Sequence, residues 1–235
     1  VIVEQAPGLQ PTGAQRRYSL LVLSARSEAA LAMQSERLAA FLESRPDLSL
    51  EDVAYTLQVG RHEFEYRRIV VASDNAHAVV KLRSPAVPGE SKKPRASKPK
   101  LVFMFPGQGT QYPGMARELY VSEPVFRDVI DRCCAALASN EEYALDIRQH
   151  LLWDPDHPFL DASRAAAELA QTQLAQPAIF ALQMALVRLL ESWGVRPAAV
   201  MGHSVGEFAA ACTAGVLELE DAVRLVATRG RLMQA

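Results

Sequence analysis

The chain has 235 residues, enough for one large domain or two modest ones. Hydrophobic residues make up 49% and charged residues 22%, the balance of a soluble globular protein. A net charge of −2 gives no field suited to nucleic acid or to an anionic membrane surface. No apolar run reads as long enough to span a bilayer, and the first residues lack a signal-peptide layout. Cys133, Cys134 and Cys212 are too few and too oddly spaced for a disulfide framework or a zinc site, and read as thiols in a reducing cytoplasm.

Residues 1–7 read as a strand leaving another domain. Residues 18–23 are apolar and β-prone and predict a strand. Ser27 is the expected N-cap of a helix to about Glu43, with Leu31, Leu38 and Leu42 at helical spacing. Ser49 heads a second, short helix to about Gln58. Residues 64–72 predict another strand, and Ser73 or Asp74 caps a helix to about Leu82. The result is a small α+β unit over 17–83 without a titratable cluster, in which His62 and His77 read as surface or packing residues. Residues 84–100 are rich in proline and basic residues and lack an apolar face, as a solvated tether does.

Residues 101–105 predict a buried strand that runs into a glycine-rich stretch from Pro106 to Gly114. That stretch lacks the Gly-Lys-Ser/Thr ending of a phosphate-binding loop. It can instead present backbone N–H groups to a ligand from the carboxyl end of a strand. Helices are expected over about 113–120 and 122–138, the second capped by Ser122 with Pro124 in its first turn. His150, Trp153 and His157 fall in an expected loop with no metal-ligand spacing. A helix over 162–169 follows. Pro177 is then placed in the first turn of a long helix to about Trp193, with an apolar stripe of Ile179, Leu182, Leu186 and Leu190. Glu220 and Asp221 open a last helix as its dipole prefers; Arg224 and Arg231 share a face of it, and Arg229 points elsewhere.

The most informative stretch is Gly202-His203-Ser204-Val205-Gly206, between a predicted strand at about 198–203 and a helix at 208–212. Strand, G-x-S-x-G and helix form the nucleophile-elbow pattern. A side chain at either glycine would clash where strand and helix close on a sharp turn. The turn lifts the Ser204 hydroxyl clear, and the helix N-terminus directs its N–H groups at the reacting centre. His203 adjoins the nucleophile, but neighbours along a strand point to opposite faces, so it reads as a packing or orienting residue and not the base.

Four motifs occur in order: Phe105-Pro-Gly-Gln-Gly-Thr-Gln111, Gln176-Pro-Ala, Gly202-His-Ser-Val-Gly-Glu207 and Arg229-Gly-Arg-Leu-Met-Gln234. Together they resemble the acyltransferase domain of polyketide synthases, and are similar to the malonyl transacylases of fatty acid synthesis. Residues 17–83 resemble the linker domain between ketosynthase and acyltransferase, and residues 1–16 the tail of the ketosynthase. The resemblance implies an α/β fold: an α/β-hydrolase-like acyltransferase core over 101–235, incomplete and with its C-terminal part missing, preceded by the small α+β linker domain. It also implies a third strand in that linker domain, where the sequence yields two.

The resemblance further implies that Ser204 attacks the thioester of malonyl-CoA. The acyl group then passes to the phosphopantetheine thiol of an acyl carrier protein, with no bound cofactor. The N–H groups of Gln108 and Val205 would form the oxyanion hole, Arg229 would hold the acyl carboxylate, and Gln176 would line the pocket. Gln176 also reads as a plain helix cap, and Arg229 as a surface ion-pair residue. Valine after the serine accompanies malonyl selection in the family. Its general-base histidine lies downstream of the Arg-Gly-Arg-Leu-Met-Gln motif, and its ferredoxin-like subdomain has no counterpart here. The chain is therefore expected to be an N-terminal piece, inactive alone, that needs its complement, an adjacent ketosynthase and a carrier protein as partners. A hydrolase or thioesterase using the same elbow, and a non-catalytic scaffold, are the competing readings.

Overall fold

The computed structural model describes residues 17–85, 100–139, 145–156 and 161–235, and the chain divides into two units, Val1–Lys98 and Pro99–Ala235. The expectations for residues 1–16, for most of the tether at 84–100 and for His157 lie outside the described residues.

In the first unit, alternation sets the sheet. Strand β1 (Ser19–Ala25) pairs antiparallel with β2 (Tyr66–Ala72), Leu21 opposite Val70 and Leu23 opposite Arg68. Leu21, Leu23, Val70 and Ala72 face a core shared with helices α1 (Glu28–Ser44), α2 (Leu50–Val59) and α3 (Asn75–Arg83). Each helix has its expected cap: Ser27 accepts from the Ala30 N–H, Ser49 from the Asp52 N–H and Asp74 from the His77 N–H. Such a cap stabilises by about 1 kcal/mol. Arg68 is buried, and its guanidinium donates to the carbonyls of Leu82 (2.8 Å), Lys81 (2.9 Å) and Ser84 (2.7 Å). A cation thus closes the negative end of α3. Among the described residues this sheet has two strands, without the third that the resemblance implied.

In the second unit, β3 (Val102–Phe105) runs parallel to β4 (Ala199–Gly202), Val102 opposite Ala199 and Phe105 opposite Gly202. Phe103, Phe105 and Val200 pack on the core, which is built mainly from α5 (Pro124–Ala138), α8 (Thr172–Ser192), α9 (Gly206–Thr213) and α10 (Leu219–Gln234). The shorter α4 (Arg117–Ser122), α6 (Arg148–Leu151) and α7 (Ala162–Leu169) flank them. Parallel sheets are usually covered on both faces. Here the outer face leaves Val102, Met104 and Met201 exposed by 52%, 71% and 54% among the described residues.

Five expectations for this unit are corrected. Ser122 ends α4 instead of capping α5: its hydroxyl donates to the Glu118 carbonyl, and Glu123 takes the cap position ahead of Pro124 without a side-chain cap bond to the helix. His150 is not in a loop but in α6, where it is completely buried. α8 starts at Thr172, which puts Pro177 inside the helix and makes Gln176 an interior residue instead of a cap. Contacts from outside the turn hold it helical, as described below, against the local preference to start at proline. Of the predicted stripe, Leu182 and Leu190 are only partly buried and Leu186 is exposed, and all three line an open apolar groove of about 330 Å³ with β3. Ala178, Phe180, Ala181, Met184 and Ala185 make the core contact instead. α8 also reaches the length and mean hydropathy of a membrane span, contrary to the expectation for the chain, but 67% of that window is buried in the core.

Candidate active site

Backbone geometry makes the site. β4 ends at Gly202 and α9 begins at Gly206, so the chain reverses over three residues. Ser204 takes φ +55°, the one positive φ at a non-glycine residue among those described. A conformation of this kind costs about 1–3 kcal/mol and persists only where the surroundings impose it. They do so here through backbone contact. A Cβ on Gly202 would collide with the Gly206 carbonyl, and one on Gly206 with the Phe105 carbonyl. The glycines therefore let strand, turn and helix close to van der Waals distance, as their spacing predicted.

The glycine-rich loop lies beside this turn because β3 pairs with β4. The His203 N–H donates to the Phe105 carbonyl at 3.0 Å, continuing the ladder past the strand end. A Cβ on Gly107 would come within 2.8 Å of His203 Nδ1, so the imidazole packs over the loop at the position where no side chain intervenes. Two glutamines tie the loop to α8. The Gln183 amide donates to the Pro106 carbonyl at 2.8 Å, and Gln108 Nε2 reaches Thr172 Oγ1 at 3.4 Å and the Ala170 carbonyl at 3.5 Å. The backbone N–H groups of Gln108 and Val205 donate to no group among the described residues, so both remain open to a ligand. The Val205 side chain is fully buried in the core.

Arg229 enters from α10. Its Nη2 donates to Ser204 Oγ at 3.3 Å, its Nη1 donates to Gln176 Oε1 at 2.6 Å, and its guanidinium carbon lies 5.9 Å from the centre of the Phe208 ring. Gln176 is 2% exposed, and its amide nitrogen also contacts the Met233 sulfur at 3.5 Å. The structure thus joins Ser204, Arg229 and Gln176 in one chain of hydrogen bonds, with Val205 next to the serine and Gln108 on the neighbouring loop. Ser204 Oγ is an acceptor in this chain. Among the described residues no histidine hydrogen-bonds it.

Gln183, Thr172, Gln234 and Phe208 belong to this setting and were given no role in the site from sequence. Gln176 and Gln183 had a usable signal: two amides seven residues apart, thus on one face of a helix that is otherwise apolar from Leu174 to Val187. Buried polar groups of this kind need partners, and here the partners are the site itself. The thiols of Cys133, Cys134 and Cys212 are free and buried away from this constellation. Burial pushes Cys134 up to about 11 and raises Cys133 further, which keeps both protonated and inert.

Comparison with known proteins adds independent findings. Residues 102–235 match the family described as "Acyl transferase domain", and residues 19–82 match "CurL-like, PKS C-terminal". Mycoketide-CoA synthase of Mycobacterium tuberculosis is 42% identical over 218 residues, 91% of this chain and 5% of its own length. Polyketide synthase GfsA of Streptomyces halstedii is 42% identical over 258 residues, 100% of this chain and 3% of its own. Among solved structures, the acyl transferase domain of ZmaA matches with a TM-score of 0.84 at 37% identity, over 95% of this chain and 50% of that one. The acyl transferase domain of SpnD, in complex with 2-(pent-4-yn-1-yl)malonyl, matches with a TM-score of 0.76 at 41% identity, over 92% of this chain and 49% of that one. The chain thus spans about half the length of these solved domains and a small part of the relatives.

Proposed function

The chain belongs to the acyl transferase domain family of polyketide synthases, and from that membership and the site geometry we infer that it supplies the nucleophilic half of a malonyl transfer site. Ser204 Oγ attacks the thioester carbonyl of malonyl-CoA, the new C–O bond forms, and the C–S bond breaks to release coenzyme A. The phosphopantetheine thiol of an acyl carrier protein then attacks the acyl-serine and regenerates the hydroxyl. The N–H groups of Gln108 and Val205 receive the oxyanion, where losing one donor typically costs about 3 kcal/mol of barrier. The observation that carries this reading is Arg229. It places a fixed guanidinium 3.3 Å from the nucleophile, with a buried amide holding its other arm.

A free acyl carboxylate can take the place that Ser204 Oγ now occupies on Nη2, and a planar fork binds a carboxylate better than an ammonium does. The substituted malonyl group named for the SpnD domain supports an acyl of this class. The proton on Ser204 needs an acceptor, because a serine without its base loses most of its rate. We assign that base to the remainder of the domain. The ketosynthase beside the linker unit, the carrier protein and a cytoplasmic setting belong to the same reading.

Labelled malonyl-CoA tests it in the full-length polypeptide. Label should appear on Ser204, vanish in Ser204→Ala and pass to added carrier protein. Label lost to free malonate at once would instead favour a hydrolase, and absence of label would leave only the scaffold reading. Arg229→Ala should erase the preference for malonyl over acetyl groups.

A further inference from the structure

Helix α8 begins without a cap of its own. Gln171 holds the cap position, but its side chain accepts from Gln173 Nε2 at 3.1 Å and caps no helix N–H, and Pro177 inside the helix works against the turn ahead of it. The missing acceptor comes from far along the chain: the Thr172 N–H donates to Gln234 Oε1 at 2.7 Å. At the same crossing a Cβ on Gly230 would come within 2.9 Å of the Thr172 carbonyl, so the backbones of α8 and α10 nearly touch. One turn further along α8 lies Gln176, and one residue before Gly230 lies Arg229, joined at 2.6 Å. The Thr172–Gln234 and Gln176–Arg229 bonds are therefore two rungs across one helix crossing. Thr172 Oγ1 and the Ala170 carbonyl, in the same turn, also receive Gln108 Nε2 from the glycine-rich loop.

We propose that Gln234 is a positioning residue, which by capping α8 from α10 fixes the direction of the Arg229 guanidinium beside Ser204. It touches no reacting atom. Removing its acceptor oxygen releases the first turn of α8, and with it the turn that holds Gln176 against Arg229. Arg229 then loses its fixed direction, so an acyl group that depends on the guanidinium suffers more than one that does not. The inference rests on the carboxylate role given to Arg229 above.

The test compares the rates of Ser204 acylation by malonyl-CoA and acetyl-CoA in the full-length polypeptide and in Gln234→Ala, Gln234→Glu and Arg229→Ala. Gln234→Ala is expected to slow malonyl loading about fivefold, the loss typical of one helix cap, with acetyl loading changed by less than about twofold. Gln234→Glu keeps the acceptor at a helix N-terminus and should restore malonyl loading. Equal losses for the two acyl groups would show a merely structural residue, and unchanged malonyl loading in Gln234→Ala would show no role; either overturns the proposal. If Arg229→Ala keeps the malonyl preference, the underlying function fails instead, an outcome that the Gln234 variants do not produce.

Discussion

The two units reach order by opposite routes. In residues 19–82 each helix is closed by a neighbour in sequence, through Ser27, Ser49 and Asp74, and the sheet is an antiparallel pair with one side on the core. In residues 102–235, α4, α5, α8, α9 and α10 have no side-chain cap of their own; α8 is held by bonds from distant residues, and the sheet is a parallel pair with one bare face. Local closure makes a unit robust and chemically quiet. Long-range closure leaves polar groups and a strained serine that must be held from several elements at once, and those same groups form the site. The difference teaches where to look for chemistry: in the part whose backbone is satisfied from far away.

The strongest way to break the contrast is Gly202→Ala. The added methyl meets backbone in α9 that cannot step aside, and the expected cost is about 3 kcal/mol. Hydrogen exchange should rise across 102–235 and stay unchanged over 19–82; uniform exchange would erase the distinction. Next comes Arg68→Met, which keeps bulk and removes the donors on three carbonyls at the end of α3, for about 2 kcal/mol. Protection should fall over 19–82 while Ser204 acylation holds.

The smallest effect is a slope with pH. Burial pushes the His150 imidazole below its ordinary value, against the opposing pull of Glu168 at 3.4 Å and of Asp146. The folded state therefore favours the neutral ring. Its contribution to stability is complete above pH 6.5 and is lost as pH falls through 6.5 towards the lower folded value. Acid titration of unfolding should show this slope in the native chain and not in His150→Asn.

What could be read from sequence follows the same division. Ser27, Ser49 and Asp74 declare themselves because a cap is a contact over three residues. The elbow declares itself because Gly202 and Gly206 flank the serine they serve. Gln234 on Thr172, Gln183 on Pro106 and Arg68 on α3 could not be read, since no local pattern ties residues so far apart. Ser122 and Pro177 misled for a related reason. Both carry a strong local preference for starting a helix, and in both places a stronger neighbour decided: the end of α4 at the first, the grip of α10 on the second.

The pairing of β3 with β4 also has a kinetic side. Strand partners in residues 19–72 are separated by a few dozen positions, whereas Val102 waits for Ala199, roughly a hundred residues later, and the entropy of closing that loop is spent before any ladder bond returns it. During synthesis the linker unit can therefore complete itself while the glycine-rich loop is still without its neighbour. Ser204 takes up its left-handed backbone only when the later strand arrives, so the turn that carries it forms well after the glycine-rich loop has been made.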